Sequence, residues 1–309
     1  MQSLPGRRRA RVQVHGILLL DKPPGVTSNK ALQIAKRHLN AAKAGHTGAL
    51  DPAATGLLPL CFGDATKVSA FLLDADKTYS VTALLGVRTD SGDLDGTAIE
   101  RQPYPEWPIE RWRELLAGFV GEQQQVPPMY SALKKDGRRL YELAREGQVV
   151  ERAPRQIVVH QLDLSALDGD RLTFDVRCSK GTYIRSLVED IASRAGTVAT
   201  TAALRRTGVG PFDGEAMHTL DAVQAASGNA VRGWLLPIDA ALSHWPAVRL
   251  DALDARRFGL GQAITVDDPS AAPGMVRVTG PDERCIGLGE LAGDSVLRPK
   301  KVFAAPDGS

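Results

Sequence analysis

The sequence predicts an α+β fold that ends in a smaller, β-rich module. Three observations carry this. Lys77–Val87 and Leu172–Cys178 alternate apolar with polar residues, the period of a strand with one buried face. Segments at about Ser28–Leu39, Trp107–Val120 and Thr182–Ala192 instead space their apolar residues three and four apart, the period of a helix. Beyond His244-Trp245-Pro246, which has the character of a linker, the chain turns to short Gly-rich strands. These lie at Met275–Val278, Arg284–Leu291, Val296–Leu297 and Lys301–Phe303.

The 309 residues leave room for two domains. Composition is that of a globular protein, 43 % hydrophobic and 24 % charged. A net charge of +2 is close to neutral, so a nucleic-acid partner has to be argued from local clusters. Cys61, Cys178 and Cys285 lie far apart and suit neither a disulfide framework nor a zinc site. No protein-held metal is expected, and a reducing cytoplasm fits these thiols. The early apolar run Ile17–Leu20 is too short for a signal-peptide core or a membrane span. Residues 1–11, with the Arg7–Arg11 cluster, are expected to form a disordered basic arm.

In order, Gly16–Leu20 is a buried strand closed by the turn Lys22-Pro23-Pro24-Gly25. Thr27 or Ser28 caps the first helix, whose inner face holds Leu32, Ala35 and Leu39. Gly45–Leu60, GHTGALDPAATGLLPL, is then too broken by Gly and Pro to be mostly one regular element. It nevertheless gathers His46, Thr47 and Asp51. Asp before Pro52 suits a helix N-cap as well as it suits a site, and these residues alone leave both readings open. Lys67–Leu73 is a short helix. Tyr79, Val81, Ala83 and Leu85 share the apolar face of the next strand, so Tyr79 begins it either as a core residue or at a pocket edge.

The acidic loop Asp90–Gly96 superficially resembles a calcium loop. Framed on Gly96 it offers Ser91 and Gln102 where Asp and Glu are needed, so it is not one. Tyr130–Glu146 interleaves Lys134, Lys135, Arg138, Arg139 and Arg145 with Tyr130 and Tyr141. That mixture suits phosphate and base contact, or a solvated surface helix. Thr182 is expected to cap the helix that follows Ser179-Lys180-Gly181. Arg185 stands in its first turn, where the helix dipole disfavours a cation. Leu204-Arg205-Arg206-Thr207 leads into Gly-Pro punctuation, and a last helical region runs from about Leu220 to Leu236.

Together these segments resemble one family, the bacterial tRNA pseudouridine synthases B. The resemblance rests on Gly16-Ile-Leu-Leu-Leu-Asp-Lys-Pro-Pro-Gly25, on Gly45-His-Thr-Gly-Ala-Leu-Asp-Pro52 with Ala54-Thr-Gly56, and on Asp76-Lys-Thr-Tyr79. Cys178-Ser-Lys-Gly-Thr-Tyr-Ile-Arg185 and Leu297-Arg-Pro-Lys-Lys-Val-Phe303 complete it. It implies a catalytic domain over residues 12–244 with a central, mainly antiparallel mixed sheet and flanking helices. It also implies an inserted RNA-gripping thumb at about 124–152 and a PUA-like RNA-binding module at 245–305.

The activity so implied isomerises uridine to pseudouridine at position 55 in the T-loop of tRNA. Asp51 matches the catalytic aspartate, Arg185 the arginine that pairs with it and lowers its pKa, and Tyr79 the tyrosine that stacks on the base. Asp51 could attack C6 of the uracil, attack C1′ of the ribose or assist elimination. His46 matches a histidine of the base-flipping step, and Lys22, Tyr183 and Leu204 fall at substrate-pocket positions. Lys134, Lys135 and Arg138 are the expected thumb contacts. The reaction needs no cofactor, and the implied partner is the tRNA T-stem-loop, bound by a cytoplasmic monomer with no membrane or protein partner. A tRNA-folding chaperone without required catalysis is the alternative. A carboxylate-pair glycoside hydrolase would need a second acidic partner for Asp51, and the better-supported partner is Arg185.

Overall fold

The computed structural model describes residues 10–214, 216–266 and 273–304. Residues 1–9 of the expected basic arm therefore lie outside the described residues. A ten-stranded mixed sheet forms the centre, and most of its pairings are antiparallel. Lys77–Leu85 lies in its middle, paired with Arg171–Cys178 on one side and with Ala199–Val209 on the other. Its residues alternate between buried and half-buried along its whole length, as the period-two pattern predicts. Gly16–Lys22 pairs antiparallel with Thr55–Phe62, which meets Ala199–Val209 in a short parallel contact.

Thr55–Phe62 corrects the expectation that the Gly- and Pro-rich stretch is mostly irregular. It is a central strand despite Pro59. A residue's N–H and C=O point to the same side of a strand. The Pro59 carbonyl accepts from the Thr47 N–H, on the side away from Gly16–Lys22. The missing N–H of Pro59 thus falls on that side, where no continuous ladder needs it.

Helices close the sheet. Ser28–His38 is capped by Thr27, whose hydroxyl accepts from the Lys30 N–H, and it buries Ala31, Leu32 and Ala35. Ile109–Ala117 and Ile184–Arg194 pack on the opposite half, over a core that includes Trp112, Phe174 and Leu187. Tyr183, not Thr182, occupies the cap position of Ile184–Arg194, because the Thr182 hydroxyl donates to Ser179 O and closes the preceding turn instead. The expected helix Lys67–Leu73 is a 3-10 turn, Gly63–Lys67, followed by Ser69–Asp74. The region after Leu220 divides at Ser227 into Leu220–Ala225 and Gly228–Arg232.

A five-stranded sheet forms the C-terminal module, where Val296–Val302 joins two expected strands into one. The expected linker residue Trp245 is packed, its ring 4.8 Å from that of Phe71. Leu288 and Phe303 of the module share a core with Ile17, Leu57 and Leu72 of the main sheet. Among the described residues no helix is long and apolar enough to cross a membrane.

Candidate active site

No helix follows Asp51-Pro52, so the capping reading of Asp51 falls away. The loop is instead pinned at nearly every backbone position around the aspartate. Thr47 N–H and hydroxyl both donate to Pro59 O. The Ser28 hydroxyl accepts from Leu50 N–H at 2.8 Å and donates to Leu50 O at 3.1 Å. Pro52 O accepts from Gly25 N–H at 2.8 Å and from Lys22 Nζ at 3.2 Å. Both neighbours of Asp51 are thus held, and a side chain on a fixed backbone loses little entropy when it is aimed.

The aim is at Arg185. Its Nε lies 3.0 Å from Asp51 Oδ2. Its other nitrogens donate to Ser91 O at 2.6 Å and Tyr130 O at 2.7 Å, and Asp93 Oδ2 lies 3.9 Å from Nη1. The guanidinium is almost wholly buried, whereas 43 % of the Asp51 side chain is open to the cleft. A fork held by two backbone carbonyls orients a carboxylate far better than a mobile surface cation. Ser91 and Asp93 belong to the acidic loop, for which the sequence reading went no further than excluding calcium. Only the fold brings that loop against the Arg185 helix.

Burial pushes the Asp51 carboxyl above its ordinary pKa, and Arg185 pulls it back without reversing the direction. The expected lowering by Arg185 is present but is outweighed, so the net direction is corrected to upward: loss of water around the carboxylate costs more than the pairing returns. Tyr79, in the same core as Leu50 and Ala54, is 9 % exposed, and burial pushes its phenol up as well. Asp51, Arg185 and Leu204 line one cavity with Ala54, Asp93 and Leu94. Its empty volume is about 330 Å³. A larger cavity lies elsewhere against Arg88, Glu189 and Asp190 and contains none of the expected site residues.

Lys22 is fully buried and donates to Pro23, Val26 and Pro52 carbonyls, with burial lowering its pKa to about 8. His46 ends the short strand Ala44–His46, half-buried, with Nδ1 buried and without a partner. Burial and Arg206 both depress its pKa, which favours the neutral ring. Tyr183 lies beside Arg155, whose guanidinium is 5.9 Å from the ring centre. Lys134, Lys135 and Arg138 are exposed on a separate hairpin, Lys134–Lys135 paired with Arg138–Arg139. Its turn, Asp136-Gly137, has positive φ at both residues, the requirement of a type I′ hairpin. Leu140 and Leu143 are the buried residues of the turn of helix that follows, Leu140–Arg145.

The fold and this site define a class: an enzyme that sets one oriented, cleft-facing carboxylate against a buried guanidinium beside an aromatic wall. The chain belongs to the TruB family of tRNA pseudouridine synthases. The family's N-terminal pseudouridylate synthase domain matches residues 36–184, and two C-terminal domain models match 185–243 and 246–303. A tRNA pseudouridine synthase B of Aromatoleum aromaticum is 49 % identical over 297 residues, covering 96 % of this chain and 95 % of the relative. One of Burkholderia mallei is 50 % identical over 303 residues, covering 96 % and 97 %. A solved archaeal box H/ACA sRNP Nop10-Cbf5 complex holds a similar chain, at 26 % identity and TM-score 0.70, covering 95 % of this chain and 87 % of that one. An H/ACA RNP bound to a substrate RNA containing 2′-deoxyuridine gives 25 % identity and TM-score 0.72, covering 95 % and 86 %.

Proposed function

We propose that this chain isomerises uridine to pseudouridine at position 55 in the T-loop of tRNA, with Asp51 as the reacting carboxylate. The observation that carries the reading is the pairing of a loop-fixed Asp51 with a buried, carbonyl-held Arg185. A stacked T-loop uridine has to leave its stack for its base to reach Asp51. His46, a flat and partly polar ring at the loop entrance, suits the vacated space. Tyr79 and Leu204 then form the walls on which the base rests, and Arg185 keeps Asp51 turned toward it.

The names of the curated relatives supply tRNA as the substrate class. Residues 12–244 would form the synthase domain, with residues 124–152 as a thumb that grips the T-stem and 245–305 as a PUA-like RNA-binding module. A monomer that acts on tRNA in the cytoplasm fits this reading. The test is release of tritium from 5-tritiated uridine in unmodified tRNA. Wild type should release it and Asp51→Asn should not. No release by wild type would refute the activity, and full release by Asp51→Asn would refute the role of Asp51.

A second reading, assistance to tRNA folding, is favoured by the exposed basic hairpin at Lys134–Arg139, which lies outside the cleft. Refolding of a misfolded tRNA by the Asp51→Asn protein would establish it, and its absence would leave catalysis as the sole role.

A further inference from the structure

The most deeply buried arginine of the described chain is not Arg185 but Arg206, on the central strand Ala199–Val209, with 1 % of its surface exposed. No described carboxylate pairs with it. Its neighbour Arg205 is different, gripping Asp21 through two bonds of 3.0 and 2.9 Å. Arg206 donates to backbone around the aspartate loop, Nε to Leu57 O at 2.7 Å and Nη2 to Gly48 O at 3.2 Å, and its guanidinium also meets the Tyr79 side chain. Across the sheet it stands in register with Tyr79.

The loop passes close to this strand: Gly56 lies against the Arg206 backbone and Gly48 beside its guanidinium. A methyl group on Gly56 would come within 2.2 Å of the Arg206 carbonyl oxygen, and one on Gly48 within 3.6 Å of its Nη1. Both glycines also have positive φ, +98° and +111°. A buried cation without an anion destabilises a fold compared with an apolar chain of the same volume. Backbone anchoring alone does not call for a charge, since carbonyls are routinely satisfied by neutral donors. The charge also reaches its surroundings, depressing the pKa values of His46, Lys22 and Lys77 and opposing the rise at Tyr79.

We propose that Arg206 is a positioning residue for the isomerisation, holding the aspartate loop from beneath and setting an unpaired positive charge under the Tyr79 wall. The proposal rests on the uridine isomerisation inferred above. When the N1–C1′ bond breaks, its electron pair stays on the uracil, spread over N1, O2 and O4. The ring then rejoins C1′ through C5, C5 loses its proton and N1 gains one, with no net oxidation. A fixed cation in a water-poor wall stabilises the uracil anion more than the neutral bound base, so it acts on turnover rather than on affinity.

The test compares wild type, Arg206→Lys and Arg206→Met in single-turnover tritium release from unmodified tRNA, with tRNA affinity and circular dichroism measured in parallel. Arg206→Met should slow the step about 100-fold, the scale of losing one preorganised charge donor, with affinity within about threefold. Arg206→Lys should recover about tenfold of that loss, because charge returns without the fork. A folded Arg206→Met within twofold of wild type overturns the proposal. So does an Arg206→Lys no faster than Arg206→Met, or a loss that appears in affinity alone. Should Arg206→Met fail to fold, Arg206→Lys decides: slower release at unchanged affinity supports the proposal and wild-type release overturns it. Wild type itself serves as the control for the activity, since failure there strikes the isomerase reading and not Arg206.

Discussion

The cleft around Asp51 and the hairpin at Lys134–Arg139 both carry charge, but they hold it in opposite ways. In the cleft, Arg185, Lys22 and Arg206 are buried and spend their donors on backbone carbonyls, so each charge has one position. On the hairpin, Lys134 and Lys135 are exposed, and Arg138 makes a half-exposed pair with Glu146. Such a pair contributes little to stability and is readily exchanged for another anion. Fixed charge suits chemistry, which gains from preorganisation. Mobile, solvated charge suits a phosphate backbone, which is held through released counterions rather than through exact geometry.

This contrast can be broken most severely at Asp51. Asp51→Asn should lower single-turnover tritium release by at least about 10⁴-fold, as loss of a reacting group does, while tRNA affinity stays within a few-fold. Equal losses in rate and affinity would make the cleft a binding surface like the hairpin. Next in size is Arg185→Ala, expected to slow turnover by about 100- to 1000-fold, the range for removing an oriented charge donor. Its pH profile is diagnostic. Asp51 must be ionised, so activity falls as pH drops through its raised pKa. Removing the cation that opposes that rise should move the acid limb to higher pH. A profile unmoved in a slowed variant would place Arg185 outside carboxylate control.

On the other side of the comparison, Lys134, Lys135 and Arg138 changed together to Ala should weaken tRNA binding and reduce the slope of log affinity against log salt by about 2, near 0.7 per lost phosphate contact. Turnover of bound tRNA should be nearly unchanged. Affinity equal to wild type at two salt concentrations would remove the hairpin from the RNA interface.

The smallest effect concerns Lys22. Its pKa in the folded chain, about 8, lies below the ordinary 10.5, so between these values the unfolded chain binds a proton that the folded chain has released. Stability from this group therefore rises with pH through that window, and is lower beneath it. Relative to Lys22→Met, wild type should gain on the order of 1 kcal/mol in urea unfolding between pH 8 and pH 10. A difference that stays constant with pH would show that Lys22 keeps its proton in the folded chain across this window.

Much of this was legible before any coordinates. Alternation alone located Lys77–Leu85 and Arg171–Cys178, because a strand with one wet face writes its period into the chain. The central strand Ala199–Val209 was missed. Its residues are mostly small, hydroxylated or basic, and its inner positions include an arginine held by carbonyls of distant segments. The helix Ala252–Gly259 escaped for another reason: of its residues only Phe258 is fully buried, which leaves little apolar stripe to count. Ser28 looked like a possible helix cap, yet its hydroxyl is committed to Leu50, across 22 residues of sequence. Asp93 looked like a loop acid, and its nearness to Arg185 spans 92 positions.

By itself the sequence determined the local elements and the family resemblance, since periodicity, turn chemistry and motif order are properties of neighbours along the chain. It also singled out Asp51, Tyr79 and Arg185 as candidates. Tertiary structure alone decided that Asp51 caps nothing, that its pKa moves up rather than down, and that Arg206 is buried beneath the aspartate loop. Those outcomes depend on which groups meet after folding and how much water is left between them. Burial and long-range pairing are set by the whole fold, and no stretch of residues encodes them alone.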